Sequence, residues 1–167
     1  MKWYVLFVEG GKELALVNYL KENDKLKAFC PMVENCIKKN GECHFITKPM
    51  FPSYIFVESE MEQSEFQELI VEIRGRKKGI VKELKYDNEG TEALQKEEKE
   101  YIESLMNKDK IIERSSGVIE NDQVIITDGP LIGQESRIVK IDRHKRIAFL
   151  EFNILGREIK IKVPLEI

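Results

Sequence analysis

Histidine is almost absent from this chain: there are two, His44 and His144, in 167 residues. No nucleophile elbow or phosphate loop occurs, and the carboxylates are scattered rather than paired. A cysteine with His44 as base is formally available, but no spacing supports it, and the chain is expected not to be an enzyme. Cysteine is scarce too. Cys30, Cys36 and Cys43 are odd in number and never in Cys-x-x-Cys spacing. Cys43 and His44, as strand neighbours, point to opposite faces and make a poor ligand pair. No metal and no cofactor are expected, and the thiols are read as reduced and partly buried. Apolar runs are short. Trp3–Val8 ends at Glu9, so neither a signal peptide nor a span of roughly 20 apolar residues is expected, and the protein is placed in the cytoplasm. Positive charge is not in excess either. With 27 basic and 30 acidic residues and a net charge of −3, bulk attraction to nucleic acid is excluded, and any such binding needs a local patch.

What the chain does have is enough apolar content, 42%, for one domain or two small ones. Trp3–Val8, aromatic and β-branched, predicts a strand ended by Gly10-Gly11. Lys12 to Lys21 predicts a helix with Leu14, Val17 and Leu20 on its apolar face. Phe29 to Lys38 and Cys43 to Lys48 are extended runs around Asn40-Gly41, a strong hairpin signal. Tyr54–Val57 follows as a buried strand. Ser64 to Gln67 fits a capping box, ahead of a stripe of Phe66, Leu69, Ile70 and Ile73. Gly79–Val81 is a short strand, and Thr91 to Met106 a charged helix with Leu94, Tyr101, Ile102, Leu105 and Met106 on one side. Residues 1–106 therefore read as an antiparallel sheet flanked by helices, β-α-β-β-β-α-β-α. Residues 107–117 lose periodicity and read as a linker. Residues 118–167 alternate in β fashion: Ile159, Ile161 and Val163 face one way, Glu158, Lys160 and Lys162 the other.

Within that last stretch Asp128-Gly129-Pro130-Leu131-Ile132-Gly133 lies between Val124–Thr127 and Ile138–Asp142. Pro130 ends a strand, and Gly129 and Gly133 can take the positive φ of a tight corner. Strand, Gly-Pro turn, glycine and strand resemble the KOW motif. At the other end, Lys2-Trp3-Tyr4-Val5-Leu6 and, after a hairpin, Phe51-Pro52-Ser53-Tyr54-Ile55-Phe56-Val57 resemble the opening of the NusG family of transcription elongation factors. The resemblance runs along essentially the whole chain. It implies an α+β fold: an N-terminal NGN domain, residues 1–106, then a C-terminal SH3-like five-stranded KOW β-barrel, residues 118–167. It further implies that Trp3, Phe51 and Tyr54, with Tyr4, Pro52 and Phe56 nearby, face the clamp helices of RNA polymerase; the bland reading of the same rings is core.

The match departs from the general factor in the second domain. Rings that meet Rho and a ribosomal protein there are replaced by Leu131, Gln134 and Leu155. The same region carries Arg137, Lys140, Arg143, His144, Lys145 and Arg146, with Arg157, Lys160 and Lys162 beyond. Such clusters suit the phosphates of an RNA stem or loop, although a solvated face diluted by Glu135, Asp142, Glu151 and Glu158 is the alternative. Arg74, Arg76, Lys77 and Lys78 form a second basic run, read as a loop touching DNA, including the non-template strand, or nascent RNA, or as an ordinary solvated loop. The departures resemble a specialised paralog of the LoaP antiterminator type: a monomer that docks on RNA polymerase, suppresses pausing and termination on selected operons, and binds a leader RNA hairpin. The alternatives are a general NusG factor coupled to Rho or the ribosome, and a ribosome-associated KOW protein.

Overall fold

The computed structural model describes residues 1–84, 94–154 and 157–167, the side chains of Phe152 and Arg157 aside. The chain divides into two compact units. The first comprises Met1–Cys30, Phe51–Lys99 and Ile154–Arg157; the second comprises Pro31–Met50, Glu100–Asn153 and Glu158–Ile167. Among the described residues no helix is long and apolar enough to cross a membrane.

The first unit is built on β1 (Lys2–Val8), central in a four-stranded sheet with β2 (Lys27–Phe29), β5 (Tyr54–Ser59) and β6 (Ile80–Leu84) in the order β2-β5-β1-β6. All three ladders are antiparallel. Strand alternation gives β1 two buried faces, which is why it reads as an almost unbroken apolar run. On one face the ring of Tyr4 stacks on Phe66 of α2 (Gln63–Arg76) at 4.0 Å, and its hydroxyl donates to the Met61 carbonyl at 2.5 Å. Trp3 points to the other. Helix α1 (Glu13–Leu20) buries Leu16, Val17 and Leu20 and packs on β2 and β5. Leu14, expected on the buried face, is exposed; Glu13 takes a buried place because its carboxylate accepts the Gly11 N–H at 2.7 Å. The capping box is not formed. α2 begins one residue before Ser64, Glu62 is its N-cap, and no side chain caps it.

In the second unit β3 (Met32–Lys39) and β4 (Glu42–Pro49) pair along their full length. Asn40 (φ 54°) and Gly41 (φ 80°) form the turn, the paired positive φ that matches strand twist. The single extended run expected from Phe29 is two strands, since Phe29 belongs to β2 and Met32 opens β3. Between them Pro31 has no N–H to offer a ladder; its carbonyl accepts from Met50 N–H at 2.7 Å. Two strand segments lie within 107–117: β7 (Ile111–Ile112), parallel to β3 through Met32↔Ile111 and Val33↔Ile112, and the start of β8 (Ser115–Glu120). Asn107 Oδ1 accepts the N–H groups of Asp109 and Ile111, which sets the turn into β7. Helix α3 (Lys96–Leu105) buries Tyr101, Ile102 and Leu105 as its spacing predicts; the start expected from Thr91 falls outside the described residues.

With β8, the strands β9 (Gln123–Asp128), β10 (Ile138–Asp142), β11 (Ile147–Ile154) and β12 (Arg157–Glu166) form a five-stranded sheet in the order β10-β11-β12-β8-β9. Five strands are as expected. A closed barrel is not found: among the described residues no ladder joins β9 to β10. β8 meets β12 in parallel at Ser115↔Leu165 and Ser116↔Glu166. Gly129 (φ 98°) turns so close to β8 that a Cβ there would lie 2.5 Å from Ser115 Cα. The Ser115 hydroxyl in turn accepts the Leu131 N–H at 3.1 Å. Ala148, Leu150, Ile161, Val163 and Leu165 form the core beside them.

Candidate functional site

Strand register decides which of the N-terminal rings are available. Trp3, Val5 and Phe7 share a face with Glu58, Phe56 and Tyr54, their partners on β5. Trp3 packs edge-on against Phe29 at 4.9 Å and Phe56 at 6.1 Å, and Phe51 meets Phe56 at 5.5 Å. Trp3, Phe51 and Phe56 are thus brought together, yet each is at most 3% exposed. Tyr4, on the opposite face, is wholly buried. Four of the six residues expected at the clamp-helix surface are therefore packing residues in this structure. Tyr54 is half-buried and Pro52 exposed at the open end of the same face. Phe7, half-buried and 5.7 Å from Tyr54, completes that end; sequence reasoning misses it because a ring inside an apolar strand carries no local mark of exposure. Lys99 Nζ lies 5.4 Å over the Trp3 ring, and Trp3 Nε1 has no acceptor among the described residues.

Cys30 lies under Tyr54, its thiol directed at the Tyr54 carbonyl at 3.7 Å. Burial, with a smaller push from the Glu13 carboxylate, raises its pKa to about 12. It is a structural thiol. Cys36 and Cys43, expected to be reduced, are joined across the β3–β4 hairpin with their Cα atoms 5.5 Å apart. Cys43 pairs with Lys38, which shares a face with Cys36, so the two sulfurs are diagonal neighbours. No group of three or more His, Cys, Asp or Glu side chains among the described residues could hold a metal.

The C-terminal basic residues separate into distinct roles. Arg137 stacks on Tyr101 at 4.1 Å, and its charge opposes the upward shift that burial gives the Tyr101 hydroxyl. Lys160 pairs with Glu151 at 3.7 Å. Arg143, His144 and Lys145 project from the β10–β11 turn. Asp142 shapes that turn by accepting the Lys145 N–H at 2.9 Å, a bond that, with the Lys145 charge, lowers the Asp142 pKa. Arg146 adopts φ 58° and lies 3.9 Å from Glu166. Lys140 and Lys162 flank one ring, Phe149, at 5.5 and 5.9 Å. Phe149 is missed in the sequence because nothing local distinguishes it from a core ring; its register opposite Lys140 puts it on the outer face. The side chain of Arg157, and Leu155, lie outside the described residues. Leu131 is fully buried and is a core residue.

The second basic run is mostly helical. Arg74 and Arg76 occupy the last turn of α2, where positive charge is favoured by the helix dipole. Arg76 pairs with Glu72 at 3.4 Å, Lys77 covers the Tyr19 ring at 5.5 Å, and Lys78 is exposed.

Residues 1–103 match a family model described as transcription termination factor NusG. A transcription termination/antitermination protein NusG of Streptococcus pyogenes serotype M1 is 27% identical over 175 residues, covering 98% of this chain and 92% of that protein. A transcription elongation factor Spt5 of Methanocaldococcus jannaschii is 33% identical over 113 residues, covering 68% of this chain and 65% of that protein.

Proposed function

The chain belongs to the NusG family, and on that premise we propose that it is a transcription elongation and antitermination factor of the specialised LoaP type. Its N-terminal domain docks on the clamp helices of RNA polymerase through Tyr54, Pro52 and Phe7, and suppresses pausing and termination. Its five-stranded sheet is the KOW module, and it captures an RNA hairpin in the leader of selected transcripts. The observation that carries the RNA reading is Phe149 with a lysine on either side, beside the exposed turn of Arg143, His144 and Lys145. A half-buried ring on the outer face between two cations suits an unpaired base stacked on the ring with its phosphates on the lysines. The near-neutral chain supplies no bulk attraction, so this patch must provide the affinity.

The test is anisotropy of a fluorescein-labelled RNA stem-loop against the full chain over a salt series. Charge reversal at Arg143, Lys145 and Arg146 should weaken binding strongly, and Phe149→Ala should weaken it with little change in salt slope. Affinity and slope both unaltered by the triple reversal would leave the turn a solvated face. The full-length match to a termination/antitermination protein favours a second reading, a general factor that couples polymerase to Rho or the ribosome. Stimulation of Rho-dependent termination by this protein would select it.

A further inference from the structure

The ladder between β3 and β7 stops at Val33. From there to Lys39 the outer edge of β3 pairs with no strand among the described residues. The β10–β11 turn lies against that edge, with Arg146 Nη1 3.9 Å from Cys36 Sγ. Between the two is a trough of about 350 Å³. Lys38 and Lys48 of the hairpin line one side, and His144, Lys145, Arg146 and Lys162 line the other. All of these residues belong to the second unit.

No carboxylate lines the trough. Two acids touch its basic residues: Glu166 pairs with Arg146 Nη1 at 3.9 Å, and Asp142 accepts the Lys145 N–H and feels the Lys145 charge. Lys38, Lys48 and Lys145 lie within ion-pair distance of no acid among the described residues. Two basic side chains away from the trough do have acid partners, Lys160–Glu151 at 3.7 Å and Arg114–Glu166 at 3.3 Å. A merely solvated surface intersperses its charges in that way. Lysines from separate strands that line one trough with no carboxylate in its lining repel one another and focus a positive potential into the cleft. Such an arrangement is stabilised when phosphates displace the counterions it would otherwise hold.

We propose that the β3–β4 hairpin and the β10–β11 turn form one phosphate-binding trough, and that the RNA site includes Lys38 and Lys48. This rests on the RNA-binding reading above and extends it to a segment distant in sequence. A trough of this volume suits the sugar–phosphate chain of one strand. It therefore takes the loop or the single-stranded flank of a hairpin, while the Phe149 platform receives an unstacked base.

The test uses the full chain and the same labelled stem-loop. Three variants are compared with the unaltered protein: K38Q/K48Q, K145Q/R146Q and K38R/K48R. Folding is checked by thermal melting. K38Q/K48Q should lose about 3- to 10-fold in affinity at moderate salt, with the log–log salt slope flattened by about 1.4, or about 0.7 for each single-strand phosphate no longer neutralised. K38R/K48R should keep the unaltered affinity. RNA carrying 4-thiouridine in its loop should crosslink to the peptide of residues 35–48. If K145Q/R146Q weakens binding while K38Q/K48Q leaves affinity and slope unchanged, the trough is refuted and the RNA reading survives. If the unaltered chain shows no salt-dependent RNA binding, both are refuted.

Discussion

Tyr54 and Phe56 are two residues apart on one face of β5, and truncating them should separate docking from packing. Phe56 is 1% exposed and touches Trp3, Phe29 and Phe51. Phe56→Ala opens a cavity among those rings and should cost about 3–5 kcal/mol, in the range of buried aromatic truncations. Tyr54 is half-buried, and among the described residues its one ring contact is Phe7 at 5.7 Å. Removing the Tyr54 ring and its partial burial should cost about 1–2 kcal/mol. In a chain of this size each kcal/mol lowers the melting temperature by about 2–4 °C. Tyr54→Ala should therefore melt a few degrees early, and Phe56→Ala by about 6–20 °C. If Tyr54 anchors the polymerase contact, Tyr54→Ala should lower affinity by about 30-fold or more, the scale of an aromatic hot spot worth at least about 2 kcal/mol. The assay is binding to purified RNA polymerase well below either melting point, with differential scanning calorimetry alongside. A folded Tyr54→Ala protein that binds polymerase as the unaltered chain does would refute the docking assignment.

Gly129→Ala should destabilise the five-stranded sheet severely, because its Cβ would fall 2.5 Å from Ser115 Cα at a positive φ; chemical-shift mapping should show β8, β9 and β12 perturbed and β1 unchanged. Cys30, its thiol pKa raised to about 12 by burial, should resist iodoacetamide at pH 8 in the native protein. In non-reducing denaturant one thiol should react, and after reduction all three. Asp142 is held below its ordinary value of 3.8, first by the Lys145 N–H; a depressed carboxylate stabilises the turn fully above that value, and the contribution is lost as pH falls through the lower folded pKa. The Lys145 amide resonance should therefore hold its position above about pH 5 and shift only below 3.8, and Asp142→Asn should abolish that titration.

Local chemistry made much of the fold legible. Asn40-Gly41 announced its turn because both residues tolerate the φ values it needs, and β1 announced itself through its β-branched and aromatic run. Periodicity put Leu14 on the apolar face of α1 because it carries no information about which arc of the helix meets the sheet; Leu16 is buried instead, and Glu13 is tied down by Gly11. Nothing local signals that β7 pairs with a strand some eighty residues earlier, which is why 107–117 read as a linker. The disulfide does have a signal in the sequence: once the Asn-Gly turn fixes the register, Cys36 and Cys43 fall on one face. Of the candidate sites, the basic turn was legible as charge. Exposure was not. Trp3 and Tyr54 look alike in sequence and share a face of the sheet; only the rings of Phe29 and Phe56 packed against Trp3 show that one is walled in and the other open.

The parallel pairing of β3 with β7 also sets a timetable for synthesis. The hairpin of residues 32–49 leaves the ribosome about sixty residues ahead of β7, and farther still ahead of the turn that carries Arg146. At about 5–20 residues per second the nascent hairpin waits about 3–12 s for its first neighbour. Throughout that interval the β3 edge is bare, and Ile37, Phe45 and Ile46, still 36–48% exposed in the finished fold, stand near it. Slow decoding between residues 50 and 110 prolongs the exposure of the second unit's earliest strand pair. A faster-translated message for this middle stretch should yield more soluble protein from an unchanged amino-acid sequence.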